Sequence, residues 1–251
     1  MSQSFKRGLQ ILDLFSVQRP TLSLDEISTE INTSYVTTYR YVKVLCESGM
    51  LVMEDGKVRM SAKILRFVNN FWQQNPLVSI ANQPISKLHK ELNETIALCK
   101  LEMNEVVCIY RLESSLSLRS TFSIGQKMSI HAGAFARSIS AFLPEKELKG
   151  IVSNIEWKSF TKNTLTSQTE YELRLKLIRQ RGYDISKEEV QDGAVGIAVP
   201  IKIESRVIAS LGISMPTVRY QEDNLPFLVT KLKETSQIIS DEIIKNQLFI
   251  L

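Results

Sequence analysis

The residues best placed to do chemistry in this chain form a row of contact groups, not a catalytic set. Ser34, Tyr35, Val36, Thr37, Tyr39, Arg40 and Lys43 bring hydroxyls, aromatic rings and two cations onto one short stretch, and Lys57 and Arg59 follow soon after. A solvated helix face would normally carry Glu/Lys pairs. Rings, hydroxyls and cations are instead the groups that meet phosphate oxygens and base edges.

Groups for bond-making chemistry are scarce. There is no G-x-x-x-x-G-K-S/T loop, G-x-S-x-G elbow, H-E-x-x-H pair or G-x-G-x-x-G after a strand. Glu188-Glu189 are adjacent acids on a loop whose side chains diverge, which reads as a solvated turn. His131 stands alone at a helix start and reads as a cap or a packed ring. Cys46, Cys99 and Cys108 are scattered, and only His89 and His131 supply imidazoles, so no zinc pattern, metal or cofactor is expected and the thiols are read as core.

The contact row needs a scaffold. Ser23 and Glu26 make a capping box for a helix with Leu24, Ile27 and Ile31 on one face. Asn32, Thr33 and Ser34 then turn the chain into a second helix from about Ser34 to Gly49. Thr38, Tyr41, Val42 and Leu45 can face a core, leaving Tyr35, Val36, Tyr39, Arg40 and Lys43 outward. A hairpin from Leu51 to Met60, turned at Asp55-Gly56, would place Lys57 and Arg59 on one face. Together these predict a winged helix-turn-helix, whose second helix enters the major groove. A first helix over Phe5 to Val17, with Phe5, Leu9, Leu12 and Phe15 inward and Ile11 beside them, would complete the core. From Ala62 to Gln74 an apolar stripe (Ile64, Leu65, Val68, Phe71, Trp72) marks a linking helix, which packs on a second copy, on the helix that follows, or within its own chain.

After Pro76 the pattern predicts a helix to Leu92 with a new start at Ile85 after Pro84. Strands follow at Thr95 to Leu101, Val106 to Leu112 and Ser117 to Ile124. Helices are expected at Ala132 to Leu143, Glu145 to Val152 and Glu170 to Arg181, then a hairpin of Val195 to Ile203 with Arg206 to Ser214, and a last helix from Leu225 to Lys245. This order predicts an α+β domain with a mainly antiparallel sheet.

The segment LDEISTEINTSYVTTYRYVKVLCESGML resembles the DNA-binding region of the IclR family of bacterial transcription regulators. Thr37 and Arg40 stand where that family has threonine and arginine in the recognition helix, and Gly49 matches its closing glycine. The stretches GQKMSIHAGAFARSISAFLP and IRQRGYDISKEEVQDGAVGIAVPI are similar to its later signatures, so the resemblance spans nearly the whole chain. Ser129 departs from the usual proline, Ala136-Arg137 from glycine-lysine, and Gly196 from a common cysteine. The resemblance implies a GAF-like effector-binding domain and a small-molecule effector. Its pocket would be lined by Leu118, Ala132, Gly133, Ala134, Ser186, Ala194, Gly196, Gly212 and Ser214. The Ala132-Gly133-Ala134 backbone would suit a carboxylate, and a side-chain-free Gly196 would enlarge the cavity.

The implied organisation is 1–61 for DNA, 62–75 as linker and 76–251 for effector binding and oligomerisation. The implied partners are double-stranded operator DNA, a carboxylate-bearing metabolite, and further copies in a homodimer or homotetramer. Net charge is +4 over 251 residues, and up to Asn75 there are 9 Lys/Arg against 7 Asp/Glu. Bulk charge therefore says little, whereas cations outnumber acids locally from Arg40 to Arg66. Hydrophobic residues make up 43% of the chain, ordinary for a globular protein, and no apolar run reaches membrane-spanning length. A cytoplasmic location with no membrane partner is expected. Two other readings stand beside the ligand-responsive regulator: a DNA-binding protein whose second domain only oligomerises, and a GAF-like enzyme using Cys99 or Cys108 as a thiol nucleophile. The residues name neither the effector, nor the operator, nor the sign of regulation.

Overall fold

The structure, a computed structural model, describes residues 3–119 and 122–246. It divides into two compact units, Met1–Gln74 and Asn75–Leu251.

In the first unit α1 (Gln3–Leu12), α2 (Leu24–Glu30) and α3 (Tyr35–Glu47) enclose a core of Ile11, Leu22, Leu24, Ile27, Ile31, Val42, Leu51 and Val58. The capping box forms: Glu26 N donates to Ser23 Oγ at 3.2 Å, and Ser23 N donates to Glu26 Oε2 at 2.7 Å. Ser34 caps α3 by accepting from Thr37 N. Gly49, at φ 74°, lets the chain leave the helix. α1 differs from expectation. It stops at Leu12, where Asp13 and Leu14 turn back onto Gln10 and Ile11, so Phe15 no longer shares its stripe. Ile11 is buried, as its place beside that stripe implies, whereas Phe5 and Leu9 stay exposed.

The expected wing hairpin forms and gains a third antiparallel strand. β1 (Thr21–Ser23) joins β2 (Leu51–Glu54) and β3 (Lys57–Met60) in the order β1-β3-β2. Asp55 and Gly56 both have positive φ, as a tight hairpin turn requires. α4 (Lys63–Gln74) follows, its start fixed by Lys63 Nζ on the Ser48 carbonyl at 2.5 Å.

The second unit opens with α5 (Pro76–Leu92), which runs through Pro84 instead of restarting. The lost hydrogen bond is tolerated because Leu77, Val78, Ala81, Ile85 and Leu88 bury one face continuously across it. Six antiparallel strands follow in the order β6-β5-β4-β9-β8-β7. They are β4 (Thr95–Glu102), β5 (Glu105–Leu112), β6 (Lys127–Met128), β7 (Asp184–Lys187), β8 (Ala194–Ile203) and β9 (Arg206–Pro216). No strand forms among the described residues of Ser117 to Ile124. Of that stretch Ser120 and Thr121 lie outside the described residues, and the remainder is turn and irregular backbone. Its place beside β5 is taken by the two-residue β6.

α6 (Ala134–Ser140) packs Phe135 on the sheet face that carries Ala97, Cys99 and Ala198. Strand alternation turns Ile96, Leu98, Ile197 and Ile213 to the other face, where α5 and α9 (Leu225–Lys245) pair. α7 (Glu145–Val152) and α8 (Gln168–Arg181) enclose a satellite core around Tyr171, Leu175 and Ile178.

The Ser23 cap yields a test of the first unit. Ser23→Ala should cost about 1 kcal/mol of that unit's stability, the usual worth of an N-cap hydroxyl, read as a lower denaturant midpoint. An unchanged midpoint would show that the β1–β3 ladder alone fixes the entry into α2.

Candidate functional site

Two sites emerge. The first is the outer face of α3, where Tyr35, Val36, Tyr39, Arg40 and Lys43 are exposed while Thr38 and Val42 are fully buried. Thr38 holds the preceding turn through its hydroxyl, 2.7 Å from that of Thr33. Ser34 and Thr37 sit at the helix start with their hydroxyls 2.9 Å apart. Lys43 lies 3.9 Å from Glu47, Lys57 3.8 Å from Glu26 and Arg59 3.1 Å from Glu54. These pairs are solvent-exposed and weak, so the cations can be recruited by a stronger polyanion. Arg40 makes no ion pair among the described residues.

The second site is a cavity of about 370 Å³ in the second unit. Its floor is a cross-strand row: Ser186 on β7 opposes Gly196 on β8, which opposes Ser214 on β9. Ala132, Gly133 and Ala134 form one wall and Ala194 lies at the edge. The Glu188–Gly193 loop contributes Val190 and Gln191, and the segment before α6 contributes Gln126, Lys127, Met128 and Ser129. Phe122, Phe135 and Phe160 make the lining largely apolar. Among the described residues that line it, Lys127 alone is charged; it lies on the exposed rim, 2.5 Å from Glu105. Ser186 is 4% exposed and is one of the residues that line this space.

Two residues expected in the lining lie outside it. Leu118 is exposed on a loop, where its carbonyl accepts from Arg219 Nη1. Gly212 is a packing position: a Cβ there would stand 2.5 Å from the Ile197 carbonyl oxygen and 2.7 Å from Phe135 Cε1. Gly196 differs, since a Cβ would meet nothing nearer than Ala134 Cβ at 3.9 Å. Ala132 and Gly133 precede α6 instead of opening it, with Gly133 at φ 88°.

Glu189 is a correction of a different kind. Far from a solvated turn, it is 4% exposed and grips Arg137, which is 0% exposed. Arg137 Nη2 donates to Glu189 Oε1 at 3.0 Å, and Nη1 donates to Glu189 Oε2 and, at 3.1 Å, to the His131 carbonyl. Its Nε donates to Asp184 Oδ2 at 2.6 Å. Burial opposes the Arg137 charge, but the two carboxylates outweigh it and raise the pKa, so the group stays protonated. Asp184 also receives Arg181 and Arg174. Nothing in local sequence marks Arg137 and Glu189 as partners, since 52 residues separate them.

His131 is a packed ring. Its Nδ1 lies 2.7 Å from Ser129 Oγ, its Nε2 lies 3.0 Å from the Lys158 carbonyl, and it stacks on Phe160. Burial lowers its pKa, which suits a neutral imidazole. Cys99 and Cys108 oppose each other across β4 and β5, fully buried, so no substrate reaches either thiol. Among the described residues no His/Cys/Asp/Glu group could hold a metal ion, and no helix is long and apolar enough to cross a membrane.

Comparison with known proteins covers both units. Residues 4–55 match the IclR helix-turn-helix domain, and residues 70–241 match the bacterial transcriptional regulator IclR C-terminal domain. The HTH-type transcriptional regulator KdgR of Dickeya chrysanthemi is 31% identical over 224 residues, covering 88% of this chain and 73% of that protein. The HTH-type transcriptional regulator XynR of Escherichia coli (strain K12) is 30% identical over 241 residues, covering 95% and 96%. The crystal structure of the Thermotoga maritima IclR superposes with a TM-score of 0.78 at 28% identity, covering 96% of this chain and 98% of that one.

The contrast between the two glycines can be measured. Gly212→Ala should lower stability by about 1–3 kcal/mol, the usual cost of overpacking, whereas Gly196→Ala should leave the thermal midpoint nearly unchanged. Equal midpoints would mean that the two positions have the same room.

Proposed function

The chain belongs to the IclR family of bacterial transcriptional regulators, and from that premise we propose how its residues divide the work. Residues 1–61 read operator DNA, 62–75 link, and 76–251 bind the effector and self-associate. The reading face is Ser34, Tyr35, Val36, Thr37, Tyr39 and Arg40 with Lys43, while Lys57 and Arg59 on the wing bind phosphates. The observation that carries this assignment is α3 itself, which buries Thr38 and Val42 and turns rings, hydroxyls and an arginine with no ion pair among the described residues outward. Such a face suits base edges better than water.

The effector site is the cavity floored by Ser186, Gly196 and Ser214 and walled by Ala132, Gly133, Ala134 and Ala194. A small carboxylate-bearing metabolite fits its chemistry. Lys127 at the rim offers the charge, Ser186 a buried hydroxyl that donates or accepts, and the phenylalanines an apolar enclosure. The chain works as a dimer or tetramer in the cytoplasm, where its operator lies. Supporting self-association, α4 buries none of its own residues and exposes Leu65, Val68 and Phe71 along one side. Two heads so paired would occupy successive half-sites.

On the DNA side, Arg40→Ala should cost about 1–3 kcal/mol of specific binding, measured by titration of cognate against random duplex. Arg59→Ala should weaken both duplexes alike and flatten the salt dependence by about one unit. Equal effects of the two substitutions on both duplexes would remove the division between base and phosphate contacts.

On the ligand side, a panel of small carboxylates with their amides as controls should contain a compound that raises the melting temperature. At about 100 times its Kd the stabilisation would be near 2.7 kcal/mol. Gly196→Leu should fill the cavity, abolish that shift and leave ligand-free operator binding intact. A Gly196→Leu protein that folds and is stabilised as strongly as the wild type would place the effector elsewhere.

A further inference from the structure

We infer that Arg137 is the positioning residue of the cavity: from behind the wall it latches the loop Glu188–Gly193, which forms a flap over the space. The functional meaning rests on reading this cavity as the effector site; the latch itself rests on geometry alone. Arg137 does not line the cavity, yet its guanidinium bonds to three segments that do or that carry lining residues. Nη1 holds the His131 carbonyl just before the Ala132–Ala134 wall. Nε holds Asp184, two residues from Ser186 on β7. Nη1 and Nη2 together hold Glu189 at the base of the flap.

The flap is fixed at its base and open at its tip. Thr164 Oγ1 donates to the Glu189 carbonyl at 2.6 Å, Thr161 Oγ1 donates to the Glu188 carbonyl at 2.6 Å, and Gly193 N donates to Glu188 Oε1 at 2.8 Å. Glu188 and Gly193, at φ 55° and 75°, bound the loop with left-handed conformations. Between them Val190 is 52% exposed while its Cγ2 stands 3.0 Å from where a Cβ on Gly133 would lie. The tip therefore rests on the opposite wall and is free on its outer side.

The three attachments are unequal. Asp184 keeps Arg174 and Arg181 if Arg137 is lost, whereas Glu189 pairs with no other cation among the described residues. Losing the latch should therefore loosen the flap, which keeps its Thr161 and Thr164 bonds at the base, and leave β7 in place. Lysine is a poor replacement, because one ammonium cannot reproduce a planar fork that serves two carboxylates and a carbonyl.

Hydrogen–deuterium exchange on the full-length protein tests this without any ligand. Glu189→Gln, which keeps shape and removes charge, and Arg137→Lys should each speed amide exchange in residues 188–193 by about tenfold or more, with β7, β8 and β9 at wild-type rates. Glu189→Gln also covers the case in which the arginine variant fails to fold. Unchanged flap exchange in Glu189→Gln would overturn the inference. So would a rise spread evenly over the sheet, which a general loss of stability would produce. If the flap loosens as expected and no carboxylate stabilises the wild type, the latch stands and the effector assignment alone fails.

Discussion

The cavity depends on a buried electrostatic constraint. Taking a guanidinium and two carboxylates out of water is costly, and only short, fully satisfied hydrogen bonds offset that cost. Asp184, Glu189 and the His131 carbonyl engage all three nitrogens of Arg137 through four hydrogen bonds. An all-apolar interior at this place would close on itself, since close packing leaves few voids larger than a water molecule. Directional bonds hold α6, β7 and the flap at set separations, and the space in front of them stays open.

The first unit solves a different problem, that of keeping a contact face exposed on a small core. Seven of its eight core residues come from the three helices and the three wing strands, with Ile31 just past α2, so α3 is held from behind through Val42. Local devices do the rest: a capping box at Ser23, a serine cap at Ser34, the Thr33–Thr38 hydroxyl contact and left-handed glycines at 49 and 56. Each satisfies a backbone or hydroxyl group near a chain reversal, which leaves the outward side chains with no structural duty.

Those devices are local, which is why this part of the fold was readable from sequence. Helical spacing separated Thr38, Tyr41, Val42 and Leu45 from the outward residues of α3. Asp55-Gly56 gave the wing turn, and the apolar strands β8 and β9 stood out around Glu204-Ser205. What escaped was short or long-range. β1 and β7, at three and four residues, are too brief to show alternation, and both are recruited by pairing with a neighbour. Glu189 looked like half of a solvated acidic pair because its partner lies 52 residues away. Gly196 and Gly212 are the same residue on neighbouring strands, and only the close approach of Phe135 and the Ile197 carbonyl tells them apart. α1 misled for a related reason: four apolar residues at helical spacing marked a face, but a turn at Asp13 ended the helix before Phe15 could join it.

A ligand changes operator affinity only through a difference in its own affinity for two arrangements of the protein, about 1.4 kcal/mol for each tenfold change. The parts of the cavity that could differ between arrangements are few. β8 and β9 are tied by an antiparallel ladder from Ala194–Pro216 to Ile203–Arg206, and β9 is tied in turn to β4, so the floor under Gly196 and Ser214 is rigid. β7 is pinned at Asp184 by three arginines. The Ala132–Ala134 wall runs into a seven-residue helix, and Val190 of the flap stands against it at Gly133. A ligand seated on the floor would therefore express its preference through the flap and the α6 wall, the two surfaces that Arg137 joins.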